Sequence, residues 1–356
     1  MKRYAYIGCR TTRERDACGN GIEVYQVNDI TGGWQHMGTV KTLENPSYLA
    51  FDKEGQYLYA VHGDTTKASA FYLEPGTGMP QAINSVELKG SNPVFLLPDH
   101  TNQDMLIACL GSGNIVAVQR REDGGLGGVD AQYMFPGNED VQKMTCPHQI
   151  YYDMDEKYLI VSLKGIKKTT IPAKEGLAVF RFTPEDGFHK IQSISGRNFD
   201  HCRQVTVHPG NRFVYLLNEL QSRVISLYLE QSTGHMTPFQ VSQTLPDNCV
   251  DTGSLLAGTL CCTRDGRYLY VSNRGHDSIA MFRVEQETGR LLNIGWVPSM
   301  GHQPRFICLD PLSRYLYAAN EKSHTIIQYR IEENGLLTYT NNVIETGSPV
   351  CIIFGP

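Results

Sequence analysis

Long apolar runs are absent from this chain, and so is any stripe of basic residues. Without the first, no transmembrane helix is expected, and Met1–Gly8 runs straight into a strand-like pattern rather than a signal peptide. Without the second, and with a formal net charge of -5, nucleic acid is not expected as a partner. None of the ten cysteines forms a C-x-x-C pair, and most sit among strand-like apolar residues. They read as small buried thiols rather than disulfides or zinc ligands, which places the protein in a reducing cytoplasm. No H-x-x-x-H spacing occurs, and Asp251-Thr252-Gly253-Ser254 lacks the regular oxygens of a calcium loop, so neither a metal nor a cofactor is expected. A G-x-S-x-G nucleophile elbow is missing as well. Gly111-Ser112-Gly113 and Gly124–Gly128 have no helix behind them and read as turns, not phosphate loops. No linker or low-complexity stretch divides the chain, which predicts a single domain over residues 1–356. The basic stretch from Lys164 to Lys174 reads as a solvated loop inserted in a repeat, or as a rim over a site.

What the chain does contain is a recurring phrase: an aromatic-rich run, a polar turn, then a second short run. Tyr57–Val61, Tyr158–Val161, Phe213–Leu216, Tyr268–Val271 and Tyr315–Ala318 are copies, with Met105–Ala108 a weaker one. They recur every roughly 47 to 55 residues, the interval of blades or solenoid units. One repeat shows the plan. Leu260–Cys262 is a short strand, Arg264–Arg267 a turn and Tyr268–Val271 a second strand. Ser278–Val284 alternates as a third strand, and a fourth begins at Leu291. Four antiparallel strands per unit is the layout of a propeller blade. Full blades begin near Asn45, Asn92, Pro147, Cys202, Leu260 and Gln303. The remnants are N-terminal strands at Tyr4–Ile7 and Ile22–Tyr25, and a C-terminal strand at Pro349–Phe354. Paired, they make a seventh, composite blade and remove two exposed edges. The fold class is therefore all-β, a seven-bladed β-propeller.

In such a blade the start of strand one and the residues after strand two share a face near the central channel. This gathers Pro147-His148-Gln149, Cys202-Arg203-Gln204, Asn218-Glu219, Asn273–His276, Gln303-Pro304-Arg305 and Asn320-Glu321. The equivalent positions in the earlier blades, Val94-Phe95, Cys109-Leu110 and His62-Gly63-Asp64, carry little such chemistry. Polar channel residues often do no more than cap loops or bind water. Several arginines in one place nevertheless cost electrostatic energy. An anionic ligand relieves that cost, and the guanidinium fork suits carboxylate or phosphate.

These residues resemble those of the lactonase family of seven-bladed propellers, which includes propeller-type 6-phosphogluconolactonases and fungal 3-carboxy-cis,cis-muconate lactonizing enzymes. The resemblance runs through Asn45–Ala50, Gly111–Gly113, Leu217–Leu220, Tyr268–Ser278 and Pro349–Cys351. It implies catalytic roles for His148, Glu219 and Arg274 and a substrate contact from Arg203; His276 and Arg305, gathered on the same face, are expected to bind substrate as well. There are departures. Ser162-Leu163-Lys164-Gly165 stands where the family usually has Pro-Asp-Leu-Gly, so an acidic group is missing. Ala108-Cys109-Leu110 replaces Ala-Asn-Tyr, His62-Gly63 replaces Asn-Glu, and Gln204 stands where a histidine often follows the arginine. One side of the pocket has changed.

The leading functional expectation is a cytoplasmic hydrolase of carbohydrate metabolism, opening a lactone of an acidic or sugar-derived substrate. Arg203 and Arg274 would hold an anion and the developing oxyanion, with either Glu219 or His148 as general base and the other as acid. The alternatives are an isomerase that closes a carboxymuconate-like unsaturated diacid into a lactone, and a noncatalytic binding propeller. The expected partner is a small anionic lactone or diacid, with no membrane involved. The sequence leaves the oligomeric state open.

Overall fold

The computed structural model describes residues 3–136, 145–165, 175–250 and 255–355. The 251–254 segment, and all of the Lys164–Lys174 stretch except Lys164 and Gly165, lie outside the described residues. The described residues form seven four-stranded antiparallel sheets. Their only helical element is a single 3-10 turn, Arg13–Arg15. This is the seven-bladed propeller expected from the repeat.

Blade 1 is the composite one: Pro349–Phe354, Arg3–Cys9, Ile22–Val27 and Trp34–Val40, hydrogen-bonded in that order. The tail runs antiparallel to the N-terminal strand, with Ala5 opposite Phe354 and Gly8 opposite Cys351. Blades 2 to 7 follow in chain order over residues 46–87, 93–134, 146–194, 202–243, 256–298 and 304–345. Blade 6 starts earlier than the sequence suggests, since its first strand is Leu256–Cys262 rather than Leu260–Cys262. An irregularity between Ala257 and Leu260 hides its true start.

The chain divides into two compact units. One holds residues 1–150, 182–189 and 346–356, and the other residues 151–181 and 190–345. In the first unit Tyr59, Val61, Leu96, Ile107 and Val116 are among the side chains of a core shared by blades 2 and 3. In the second, one core joins blades 5 and 6 through Tyr215, Leu217, Leu269 and Phe282, and another joins blades 6 and 7 through Tyr270, Ile279, Leu316 and Tyr329.

The aromatic phrase has a structural cause. It is the second strand of each blade, covered on both faces, as in Asp104–Cys109, Phe213–Asn218 and Tyr268–Arg274. A strand buried on both faces reads as a continuous apolar run, whereas the fourth strand, such as Leu126–Met134, alternates. The tyrosine hydroxyls reach the next blade. Tyr6 donates to the Gly78 carbonyl at 2.6 Å, Tyr59 to Gly124 at 2.8 Å, Tyr215 to Gly289 at 3.0 Å and Tyr270 to Gly335 at 2.9 Å. Each acceptor is a glycine in the turn before a fourth strand. At Gly335 the backbone is left-handed, with φ +83°, and a Cβ would lie 2.2 Å from the Tyr268 ring. Only glycine satisfies both the conformation and the contact.

Candidate active site

The first strands of the blades carry a repeated β-bulge. Pairing slips between Pro46 and Tyr48, Pro93 and Phe95, Cys202 and Gln204, and Pro304 and Phe306. The residue left opposite nothing is Ser47, Val94, Arg203 and Arg305 respectively. A bulge re-aims the side chain of its extra residue. The second unit thus uses two of these positions to present arginines, where the first unit has a serine and a valine. The blade 6 slip leaves Gly258 and Thr259 facing Ser272 alone. It turns the Gly258 carbonyl to accept a hydrogen bond from Arg203 Nη1.

The ends of the second strands supply the other charges. In blades 5, 6 and 7 these strands end on Asn218, Asn273 and Asn320 or one residue beyond. The three amides donate to carbonyls of preceding loops: Asn218 to Asn198 at 3.1 Å, Asn273 to Thr244 at 2.8 Å, and Asn320 to Ser299 at 3.0 Å. These asparagines are loop clamps. Each fixes the residue after it, which is Glu219, Arg274 or Glu321.

Glu219 is the centre of the resulting cluster. One carboxylate oxygen faces Arg274 Nη2 at 2.5 Å and Arg203 Nε at 3.4 Å, and the other is ion-paired with Lys164 Nζ. Arg203, Glu219 and Arg274 are buried, and Lys164 is partly buried, with 14% of its side chain exposed. Arg274 also donates to the Ala257 carbonyl at 2.7 Å, and Ala257 N–H donates to the Glu219 carbonyl at 2.8 Å. Arg305 pairs with Glu321 at 3.6 Å, and both act electrostatically on Arg203 and Arg274.

The electrostatics follow from burial and crowding. Burial alone would raise the Glu219 carboxyl, but Lys164, Arg274 and Arg203 hold it well below the usual 4.5. Burial, then the neighbouring guanidiniums, push Arg203 down, and burial lowers Arg274 and Lys164. The guanidiniums nonetheless stay charged at neutral pH, since arginine is not deprotonated in proteins. Among the described residues of the cluster, four cations face two carboxylates, an excess of two formal positive charges. The Nε atoms of Arg203 and Arg274 are buried without a hydrogen-bond partner.

Of the residues singled out in the sequence, Arg203, Glu219 and Arg274 come together and Arg305 adjoins them. His276 does not join them: its ring bonds the Ser278 hydroxyl at 2.7 Å. His148 is buried in the first strand of blade 4, in the first compact unit.

Two residues of the cluster escaped the sequence reading. Lys164 is no solvated loop residue, because it ends a second strand, Leu159–Lys164, and pairs with Glu219. Its position, equivalent to that of Glu219 in blade 5, was the available signal. His201, which the sequence did not single out, is buried beside the cluster, and its carbonyl accepts the Glu219 N–H at 2.9 Å. Among the described residues, no group of three or more His, Cys, Asp or Glu is placed to hold a metal ion.

Known proteins share this architecture. The family model described as "Lactonase, 7-bladed beta-propeller" matches residues 4–354. A Bacillus subtilis protein named 6-phosphogluconolactonase is 29% identical over 355 residues, covering 98% of each chain. A Formosa agariphila protein of the same name is 25% identical over 312 residues, 82% of this chain and 83% of its own. The structure of a Pseudomonas aeruginosa periplasmic gluconolactonase superimposes with a TM-score of 0.88 at 23% identity, covering 100% of this chain and 99% of that one, a likeness of fold. By the extent of the family match, the chain belongs to the lactonase family of seven-bladed β-propellers.

Proposed function

We propose that the protein is a hydrolase that opens a sugar-derived lactone bearing an anionic group, of the 6-phosphogluconolactone type named for its Bacillus subtilis relative. The observation that carries this reading is the uncompensated charge of the cluster around Glu219. A largely buried site in which four cations face two carboxylates carries an electrostatic cost and is suited to a ligand with about two negative charges. Arg203 and Arg274 are positioned for two tasks. They can hold the anionic substituent and stabilise the oxyanion that forms when water attacks the carbonyl. With three cations on its carboxylate, Glu219 is better suited to aligning the guanidiniums than to accepting a proton. His148 remains an acid–base candidate on the first strand of blade 4. All ten cysteines are free, which supports a reducing compartment such as the cytoplasm. No helix of the described residues is long and apolar enough to cross a membrane.

The test is turnover by purified protein of phosphorylated and neutral sugar lactones, with unsaturated diacids as a third panel. Hydrolysis of the charged lactones, with kcat/KM at least tenfold above the neutral ones, is expected. Arg274→Ala should reduce it by about 10²–10³, the cost of one lost oxyanion donor. Ring closure of a diacid with no lactone hydrolysis would overturn the proposal in favour of an isomerase. No turnover of any panel would leave a binding propeller.

A further inference from the structure

Hydrolysis needs a group that takes a proton from water, and the carboxylate at the centre of the cluster is occupied by cations. His201 offers what Glu219 lacks. It sits in the connection between blades 4 and 5, two residues before Arg203, with 6% of its surface exposed. Its backbone is left-handed, with φ +55°. The same conformation recurs directly before the first strand of other blades, at Asn45, Asn92, Gln303 and Ser348, so it belongs to the entry of the blade. Neighbours fix it. Asn218 donates to the Asp200 carbonyl and, at 3.1 Å, to that of Asn198, while the His201 carbonyl takes the Glu219 N–H at 2.9 Å.

The ring lies beside the backbone of Gly165, the residue after Lys164, which favours its protonated form. Its Nδ1 is buried with no partner. An imidazole nitrogen that no protein group engages can accept a proton. A buried nitrogen without a partner otherwise costs stability, and a reacting water supplies the missing partner.

We propose that His201 is the general base of lactone opening, accepting at Nδ1 the proton of the attacking water. The inference rests on the lactonase reading above. The water oxygen bonds to the lactone carbonyl carbon, and its proton passes to His201. The carbonyl electron pair moves to oxygen, where Arg203 and Arg274 hold the charge. Collapse re-forms the carbonyl and breaks the bond to the ring oxygen. That oxygen leaves as a hydroxyl with the proton returned from His201, and the new carboxylic acid releases its own proton to solvent.

The charged groups acting on the ring are Lys164 at the end of the blade 4 second strand, Glu219 after that of blade 5, and Asp200 on its own connection. Burial first, and then Lys164, hold the imidazolium below 6.5, outweighing Glu219 and Asp200. The working neutral form thus prevails at neutral pH and is lost on acidification.

Two substitutions test the proposal while respecting the left-handed backbone: His201→Asn and His201→Gly. With 6-phosphogluconolactone as substrate, both should lower kcat by about 10²–10³, within the range of general-base catalysis. Binding of inorganic phosphate, measured by calorimetry, should change less than threefold. Added imidazole should restore at least tenfold of the activity lost by His201→Gly, and the acid limb of the wild-type pH–rate profile should vanish in His201→Asn. Substitutions that leave kcat within threefold of an active wild type would overturn the assignment and leave the lactonase reading intact. Slow variants that have lost phosphate binding and do not respond to imidazole would make His201 structural and overturn it equally. Wild-type protein that opens no lactone would fail both readings together.

Discussion

Removing the negative charge at the centre of the cluster is the most informative single perturbation. Glu219→Gln keeps the shape of the side chain and one acceptor oxygen but deletes the counter-charge of Lys164, Arg274 and Arg203. At an effective dielectric of about 20, a unit pair about 4 Å apart is worth about 4 kcal/mol. Removing one partner of a buried pair costs about 3–5 kcal/mol, because the charge left behind is neither solvated nor matched. At about 2 °C per kcal/mol, the low end for larger chains, Tm should fall by about 6–10 °C. The pH dependence has a defined sign. The folded carboxyl lies well below its ordinary 4.5, so its contribution is complete above 4.5 and is lost as pH falls through the folded value. The gap between wild type and variant should be full at pH 7 and narrow in acid.

A second substitution separates charge from shape. Lys164→Met deletes a cation of the same cluster, so the Glu219→Gln/Lys164→Met double variant has the original charge balance. Its loss of stability should fall short of the sum of the singles by about 1–3 kcal/mol in chemical denaturation. Additivity within about 0.5 kcal/mol would show that the carboxylate and the lysine do not interact, and the electrostatic account of the site would be refuted. A Tm for Glu219→Gln within about 1 °C of wild type would refute it as well.

Three further outcomes are expected. Deleting residues 349–356 removes the strand paired to Arg3–Cys9 and exposes the edge of blade 1; the truncated protein should lose the single cooperative unfolding transition expected of the full chain, and a free tail that can be removed without effect would sink the composite blade. Exhaustive chelation should leave lactone turnover intact, and activity abolished by chelation and restored by one metal ion would contradict the metal-free reading. Asp104, buried and near Asp99, Asp130 and Glu185, has its carboxyl pushed up to about 6, chiefly by burial. A raised value favours folding below the ordinary 3.8 and opposes it once pH passes about 6, so Asp104→Asn should raise Tm at pH 8 and change it little at pH 4.

The repeat was legible because its cause is local. A second strand covered on both faces must be apolar throughout, and the tyrosine that reaches the next blade must recur with the blade. The composite blade was legible for a similar reason, since each terminal remnant lacks the strands the other supplies. The bulges were not. They occupy single residues such as Arg203 and Arg305 and leave no periodic trace, and at Gly258 the slip displaced the apparent start of blade 6 from Leu256 to Leu260. His201 was illegible for another reason. Its significance lies in burial and in a ring nitrogen without a partner, and neither is encoded by the residue type.

Lys164 shows how a departure from a family pattern can be noticed and still be misplaced. The family's acidic residue falls at Leu163, one position before it, and the lysine itself was assigned to a solvated loop or a rim over a site. In the fold its strand ends at the same level as Phe213–Asn218, so the side chain enters the cluster and takes one oxygen of Glu219. An acid introduced at position 164 would share the guanidiniums with Glu219 and bring the cluster to neutrality. A lysine there occupies Glu219 instead and leaves the excess of two cations. Lys164→Asp therefore reverses the logic of the site. It should weaken inorganic phosphate binding by more than tenfold and reduce the preference for charged over neutral lactones, with the fold retained. Unchanged phosphate affinity in a folded Lys164→Asp protein would mean that the anion is held elsewhere, and the charge argument for the substrate would fail.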